Sequence, residues 1–206
     1  MKRNQTAEKS ILDAAERLFL EKGFVLTSTI MIAKEVGCNQ SLVHYYYRSK
    51  ENLFELVFQK ALNTVIAGFT DIDDKNLAFE ERLKHCVYNQ FEMLQAHPEI
   101  VFFLINELST NPKRLIAVKE QFNTLFSDIL QLIGRELKIE INSGKIQPIS
   151  PIDLILNIFS LNAGVFLHYF ISKKLSIFTD EELQIKLEQN KHLNYILIMR
   201  SIENIK

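Results

Sequence analysis

The chain has 206 residues, 47% of them hydrophobic, and a net charge of −1. This length suits one large domain or two small ones, and the apolar content is enough for a packed core. The charge excludes a polycation that binds nucleic acid by bulk attraction, although residues 1–60 hold nine Lys/Arg and seven Asp/Glu, a net +2. Two cysteines make no disulfide framework, and the polar start MKRNQTAEKS has no secretory core, so we expect a cytoplasmic protein.

The first third of the chain is predicted to form four helices, because its apolar residues recur at spacings of three and four. The first helix runs from about 6 to 22 and ends at Gly23. Two short helices follow, separated by the turn at 37–40. The fourth begins after Ser49, which is a good N-cap, and ends near Gly68.

Five longer helices are predicted in the remainder, each bounded by a cap, a proline or a polar break. They begin near Asn76, Pro98, Lys113, Ser150 and Thr179. No strand alternation of useful length appears, so the predicted fold class is all-α with about nine helices.

One apolar run, Ile152 to Ile171, reaches the length of a membrane span. It contains Asp153, Asn162 and His168, whose transfer into lipid is costly. We therefore predict a core helix without a membrane role.

The segment Thr29 to Leu53 carries the main functional signal. Two short helices are joined by a tight turn that opens with Gly37, where a positive φ is expected, and Asn39 is placed to cap the second helix. This layout is typical of a helix-turn-helix DNA reader, in which the second helix enters the major groove.

The four predicted N-terminal helices resemble the DNA-binding domain of the tetracycline-repressor (TetR) family. One departure is His44, which stands where most members have a tyrosine. The resemblance is carried by Ile11, Ala14, Ala15, Leu18, Phe19, Gly23, Phe24, the run 27–29, the run 32–37 and the run 46–53. It implies a helix-turn-helix domain over 1–50, a ligand-binding and dimerisation domain over 51–206, and a connecting helix at about 50–69. The sequence itself has a polar break at 71–74, where a domain boundary is expected.

The candidate DNA contacts lie mostly on the second short helix. Gln can pair with adenine and leucine can touch a thymine methyl, so the groove-facing candidates are Gln40, Ser41, Leu42, His44 and Tyr45. By resemblance Val43 and Tyr47 are core positions, and the alternative for Leu42 is an ordinary core leucine. The resemblance further suggests phosphate contacts from Thr29, Tyr46 and Lys50.

A ligand pocket among the fifth to eighth helices is also implied by the resemblance. The candidate lining residues are Tyr88, Phe91, Phe103, Asn106, Phe122 and Phe126. Core packing is the alternative for most of these phenylalanines. A pocket of this kind would suit a mostly apolar or aromatic ligand with one or two hydrogen-bonding groups.

The last two predicted helices carry more apolar surface than two terminal helices need. The residues concerned are Leu156, Phe159, Ala163, Gly164, Leu167, Leu193, Ile196 and Leu197. By resemblance these helices form an intersubunit four-helix bundle, so a homodimer is expected.

The hypothesis is a one-component, ligand-responsive regulator, a repressor that binds operator DNA as a homodimer and is released by a small apolar ligand. The alternative is a helical protein-interaction adaptor that retains the helix-turn-helix without ligand sensing. An enzyme is not expected, because no nucleophile elbow, phosphate loop, dinucleotide fingerprint or metal-ligand spacing is present. No cofactor or metal is predicted.

Overall fold

The computed structural model describes residues 2–69 and 77–204, except the side chains of 2–5, 117, 118 and 120–126. Over this part the all-α prediction is confirmed, and the chain forms nine helices. These are α1 (Lys2–Leu26), α2 (Thr29–Val36), α3 (Gln40–Tyr47), α4 (Lys50–Ala67), α5 (Phe79–Ala96), α6 (Pro98–Thr110), α7 (Pro112–Asn142), α8 (Pro151–Lys174) and α9 (Asp180–Ile202). The predicted polar break at 71–74 lies outside the described residues.

The chain divides into two compact units that do not follow its order. The first unit comprises residues 1–64 and 99–115, and the second comprises 65–98 and 116–206. The helix α4 therefore contributes its first four turns to one unit and its end to the other. The predicted division at residue 50 separates a DNA-binding function from a ligand-binding function, whereas the two compact units are defined by packing alone. The predicted division therefore stays a prediction.

The first unit is built on the apolar face of α1. Its core includes Ile11, Ala14, Ala15, Leu18 and Phe19, all of which are buried. The first helix is interrupted at Gly23, whose backbone has φ 74° and ψ 177°. The hydroxyl of Thr27 then donates towards the carbonyls of Leu18 and Gly23, which closes the end of the helix.

A buried ion pair joins α6 to the start of α7 within the same unit. Nη1 of Arg114 lies 3.1 Å from Oε2 of Glu107, and both side chains are largely buried. The guanidinium also covers the ring of Phe54 on α4, at 4.1 Å from the ring centroid. Phe103 of α6 packs on that ring as well, at 5.4 Å between centroids. The α6–α7 corner is therefore packed on α4 by aromatic, cationic and ionic contacts together.

The second unit packs α5 against α8 and α9. Its apolar core includes Leu83, Val87, Leu154, Ile158 and Ile198. Ser150 caps α8 by accepting a hydrogen bond from the Asp153 N–H, and a Thr179–Glu182 capping box opens α9, as predicted.

By length and composition alone, α8 is the one described helix that could cross a membrane. Such helices are weak evidence, because core helices pass the same test. One face of α8 is buried in the second unit, through residues that include Leu154, Ile155, Ile158, Asn162 and Phe166. One third of its most apolar stretch is buried in this way.

The Glu107–Arg114 pair provides a stability test for the first unit. Glu107→Leu alone should destabilise it by about 3–5 kcal/mol, because the Arg114 charge is left buried without its partner. Combining this change with Arg114→Met should recover most of the loss, since no buried charge remains. Urea unfolding followed by circular dichroism measures both.

The exposed pair Arg17–Glu35 is the matched control, with side chains 61% and 42% accessible. Arg17→Met should change the free energy of unfolding by less than about 1 kcal/mol. A Glu107→Leu effect as small as this would contradict the role assigned to the buried pair.

Candidate nucleic-acid interface

The turn between α2 and α3 has the geometry that the sequence predicts. Gly37 adopts φ 72° and ψ 30°, a left-handed conformation that favours glycine, and the N–H of Cys38 donates to the Ala33 carbonyl at 2.9 Å. Asn39 then caps α3, with Oδ1 accepting from the Leu42 N–H at 2.9 Å. Both helix ends are satisfied within the turn, so the direction of α3 is fixed by local bonds.

The helix α3 has one buried face and one exposed face. Val43 and Tyr47 are buried, with 1% and 7% of their surface accessible. Gln40, Ser41, His44 and Tyr45 are exposed, while Leu42 and Tyr46 are intermediate. The predicted core positions are confirmed, and Leu42 lies at the border between the two faces.

Tyr47 anchors α3 to α1. Its hydroxyl donates to the Glu8 carbonyl at 2.9 Å. Burial raises the pKa of Tyr47 to about 12, and the negative charges of Glu8 and Asp13 add to the effect. The phenol is therefore held as a neutral donor under the recognition helix.

A chain of polar groups joins the exposed face of α3 to Thr29, a buried residue of α2. Nδ1 of His44 lies 3.1 Å from the Arg48 carbonyl, which can only accept, so Nδ1 carries the proton. The other ring nitrogen then accepts from Nε2 of Gln40 at 3.2 Å. The second N–H of that amide reaches the Thr29 hydroxyl on α2 at 2.9 Å. We call Thr29, Gln40, His44 and the Arg48 carbonyl the α3 relay.

The α3 relay has a consequence for base recognition. Both N–H groups of the Gln40 amide are engaged inside the protein, so Oε1 is the amide atom left for a base. An acceptor of this kind pairs with the exocyclic amines of adenine or cytosine in the major groove. The sequence singled out these side chains, and the i,i+4 spacing of residues 40, 44 and 48 was the available signal for their bonding.

Lys50, a predicted phosphate contact, lies at the start of α4. Its ammonium group is 4.2 Å from the centroid of the Phe24 ring. That ring packs edge-on against Phe54, at 5.0 Å between centroids. The Lys50 ammonium group therefore makes a cation–π contact with the Phe24 ring, and the sequence did not indicate this contact.

The candidate ligand residues are divided between the two units. Tyr88 and Phe91 belong to the second unit, where the Tyr88 hydroxyl bonds Nδ1 of His192 at 3.0 Å and the buried Phe91 packs on Phe166. Phe103 is buried in the first unit and Asn106 is exposed there. The side chains of 122 and 126 lie outside the described part. The predicted pocket stays a prediction.

The turn, the capped α3 and its exposed polar face define a helix-turn-helix DNA-binding domain. Residues 11–57 match the family model described as bacterial regulatory proteins, tetR family. Residues 11–57 are therefore a TetR-type DNA-binding domain, which confirms the resemblance noted in the sequence, and the proteins of this family are transcription regulators and not enzymes.

Similar proteins agree with this assignment. An uncharacterized HTH-type transcriptional regulator of Bacillus subtilis, YhgD, is 26% identical over 146 residues, covering 70% of this chain and 74% of that protein. The fatty acid metabolism regulator protein of the same organism is 23% identical over 148 residues, covering 71% and 74%. A Clostridium perfringens structure, described as a candidate fatty acid metabolism regulator, has a TM-score of 0.71 at 21% identity and covers 96% of this chain and 100% of its own.

The raised pKa of Tyr47 predicts a loss of stability at alkaline pH. Because the folded pKa of about 12 lies above the usual 10.0, the stabilisation is complete below pH 10 and is lost as the pH rises through 12. Between these values, the free energy of unfolding should fall more steeply for wild type than for Tyr47→Phe. Equal slopes for the two proteins would contradict the buried, bonded phenol.

Proposed function

We propose that this protein is a ligand-responsive repressor that acts in the cytoplasm and binds operator DNA as a homodimer. The observation that carries the proposal is the α3 relay, which lies on the exposed face of the second helix of a family-type helix-turn-helix. A surface glutamine ordinarily moves among many rotamers. Here the bonds to Thr29 and His44 hold Gln40 in one position, which lowers the entropy cost of meeting a base.

Sequence readout is assigned to α3, and backbone contact to its surroundings. Gln40 would accept from an exocyclic amine, with Ser41, Leu42, His44 and Tyr45 beside it in the groove. Thr29, Tyr46 and Lys50 would hold phosphates on the flanks. The relay links the two sets, because Thr29 supports the side chain that reads the base.

The dimer is assigned to α8 and α9. Leu156 and Leu167 of α8, and Leu193 and Leu197 of α9, are between 42% and 51% accessible. Gly164 lies near the middle of α8, and a Cβ added to it would meet no other atom within 4 Å. Its neighbour Ala163 is buried in the second unit and is not part of this surface. This is the surface that a second copy would cover, and two recognition helices about 34–36 Å apart would then meet one turn of duplex.

The effector is proposed to be a mostly apolar molecule of the fatty acyl class. Support comes from two similar proteins that are described as regulators of fatty acid metabolism, one by established name and one as a candidate. Of the predicted lining residues, Tyr88 and Phe91 of the second unit are proposed to contact the effector. The effector must bind the form that does not bind DNA more tightly, since otherwise it shifts no population.

Operator binding is tested by selecting sites from random DNA and from the promoter next to the gene, then measuring affinity by fluorescence anisotropy. Gln40→Ala should relax preference at one base position by about 1–3 kcal/mol. His44→Ala should alter preference at that same position, because it releases one N–H of the Gln40 amide. A change at a different position would contradict the relay.

Lys50→Ala is the contrasting variant for the same measurement. It should weaken binding about equally on all sequences and reduce the salt slope by roughly one. If wild type shows no preference for any selected site, the repressor proposal fails and the interaction adaptor becomes the better explanation.

The dimer is tested by introducing a charge into its proposed surface. Leu197→Glu should give a monomer in sedimentation velocity and weaken operator binding at least tenfold, because two half-sites are no longer held together. Ile139→Glu on α7 is the matched control, since Ile139 is also exposed, at 59%, but lies outside α8 and α9. A wild-type monomer at micromolar concentration would overturn this assignment.

A further inference from the structure

Three uncharged amide side chains are buried together in the second unit. Gln90 of α5 and Asn162 of α8 are fully buried, and Asn194 of α9 is 4% accessible. They lie among apolar residues that include Val87 and Phe91. Buried amides are costly unless each polar atom is paired, so the direction of every bond in this amide triad matters.

A backbone carbonyl fixes the orientation of the triad. The Val87 carbonyl can only accept, so Nδ2 of Asn162 faces it, at 3.0 Å. The second N–H of the same nitrogen donates to Oε1 of Gln90. Oδ1 of Asn162 then accepts from Nδ2 of Asn194 at 2.8 Å. No amide in the triad can be turned around without placing two like groups in contact.

This orientation leaves one donor at the end of the chain of bonds. With Oε1 of Gln90 directed to Asn162, Nε2 points away, and it has no acceptor among the residues that the structure describes. Such a group is stabilised by a hydrogen-bond acceptor from outside the fold. The bonds of the triad are made only to amides and to a backbone carbonyl, with no charged partner. A neutral carbonyl oxygen therefore suits the Nε2 donor better than a carboxylate, whose charge would be buried.

Gln90 also lies against the residue that follows α4. A Cβ added to Gly68 would be 3.1 Å from Cα of Gln90 and 3.3 Å from its Cβ and Cγ. Gly68 is therefore seated on the Gln90 side chain, and α4 ends one residue before it. A shift of the Gln90 side chain would displace Gly68 and therefore the end of α4.

We propose that Nε2 of Gln90 donates a hydrogen bond to a neutral carbonyl oxygen of the effector, and that the contact with Gly68 passes this event to α4. The inference rests on the proposed ligand response and specifies its chemistry: an apolar molecule that carries an ester-type carbonyl. Gln90 is the recognition donor, and Gly68 is the coupling position.

The probe is methyl octanoate, with decane as a matched chain that lacks a hydrogen-bond acceptor and octanoate as the charged form. Binding is measured by calorimetry on the full chain and by the side-chain amide resonance of 15N-glutamine-labelled protein. Methyl octanoate should bind at least tenfold more tightly than decane or octanoate, and it should shift the Gln90 resonance. Gln90→Met should lower its affinity about tenfold, the loss of one hydrogen bond.

Asn194→Leu is the matched control, because it opens the triad at its other end and leaves the Gln90 donor in place. It should lower the melting temperature while keeping methyl octanoate affinity. Gly68→Ala should both lower that affinity and change the concentration at which methyl octanoate releases operator DNA, because the added Cβ would lie 3.1 Å from Cα of Gln90.

The outcomes separate this inference from the proposed function. If methyl octanoate does not bind, or if Gln90→Met and wild type bind it equally, the recognition donor is wrong even when operator binding is intact. The recognition donor is also wrong if the Gln90 amide resonance does not shift when methyl octanoate is added and the amide contacts a long-lived water instead. If the probe binds through Gln90 but no operator is ever bound, the repressor proposal fails and the ligand site stands.

Discussion

The continuity of α4 is the constraint on which the other features depend. Between Lys50 and Ala67 the helix has no glycine or proline, so its backbone hydrogen bonds run unbroken. Its buried residues begin with Leu53 and Phe54 and continue to Leu62. The helix starts next to the recognition helix, and it ends beside Gln90 through Gly68. Its first four turns belong to the first unit and its end belongs to the second.

The α6–α7 corner packs against the side of α4 within the first unit. Glu107 and Arg114 belong to the same compact unit as α1 to α3, although they come after the end of α4 and the whole of α5 in the sequence. The guanidinium over Phe54 and the ion pair beneath it hold the corner to α4. A force on either α4 or this corner therefore acts on the unit that carries the recognition helix.

The helix ends were largely predictable because capping is local. Ser49, Ser150 and Thr179 lie within three residues of the N–H groups that they accept from. The start of α5 was less visible, because Ala78 has no capping side chain and Glu81 reaches back to its N–H from inside the helix. Where the capping side chain and the N–H groups that it bonds lie within one helical turn, the sequence alone was sufficient to predict the start of the helix.

The site was predictable in its members but not in its connections. Gln40, His44 and Thr29 were each candidate DNA contacts, yet the bond from Gln40 to Thr29 joins two helices and depends on how the turn closes. The amide triad was not predicted at all, because its bonds join residues of three helices. Polarity at one position is readable from sequence, but its partner is decided by tertiary packing.

The α3 relay and the amide triad follow one physical rule. In each, a backbone carbonyl that can only accept fixes the first side chain, and each following amide takes its direction from the one before. The α3 relay leaves an acceptor, Oε1 of Gln40, on the exposed face. The triad leaves a donor, Nε2 of Gln90, in the interior. A nucleobase amine would satisfy the first group and a ligand carbonyl the second. The protein therefore determines, before either partner binds, which unpaired group is an acceptor and which is a donor.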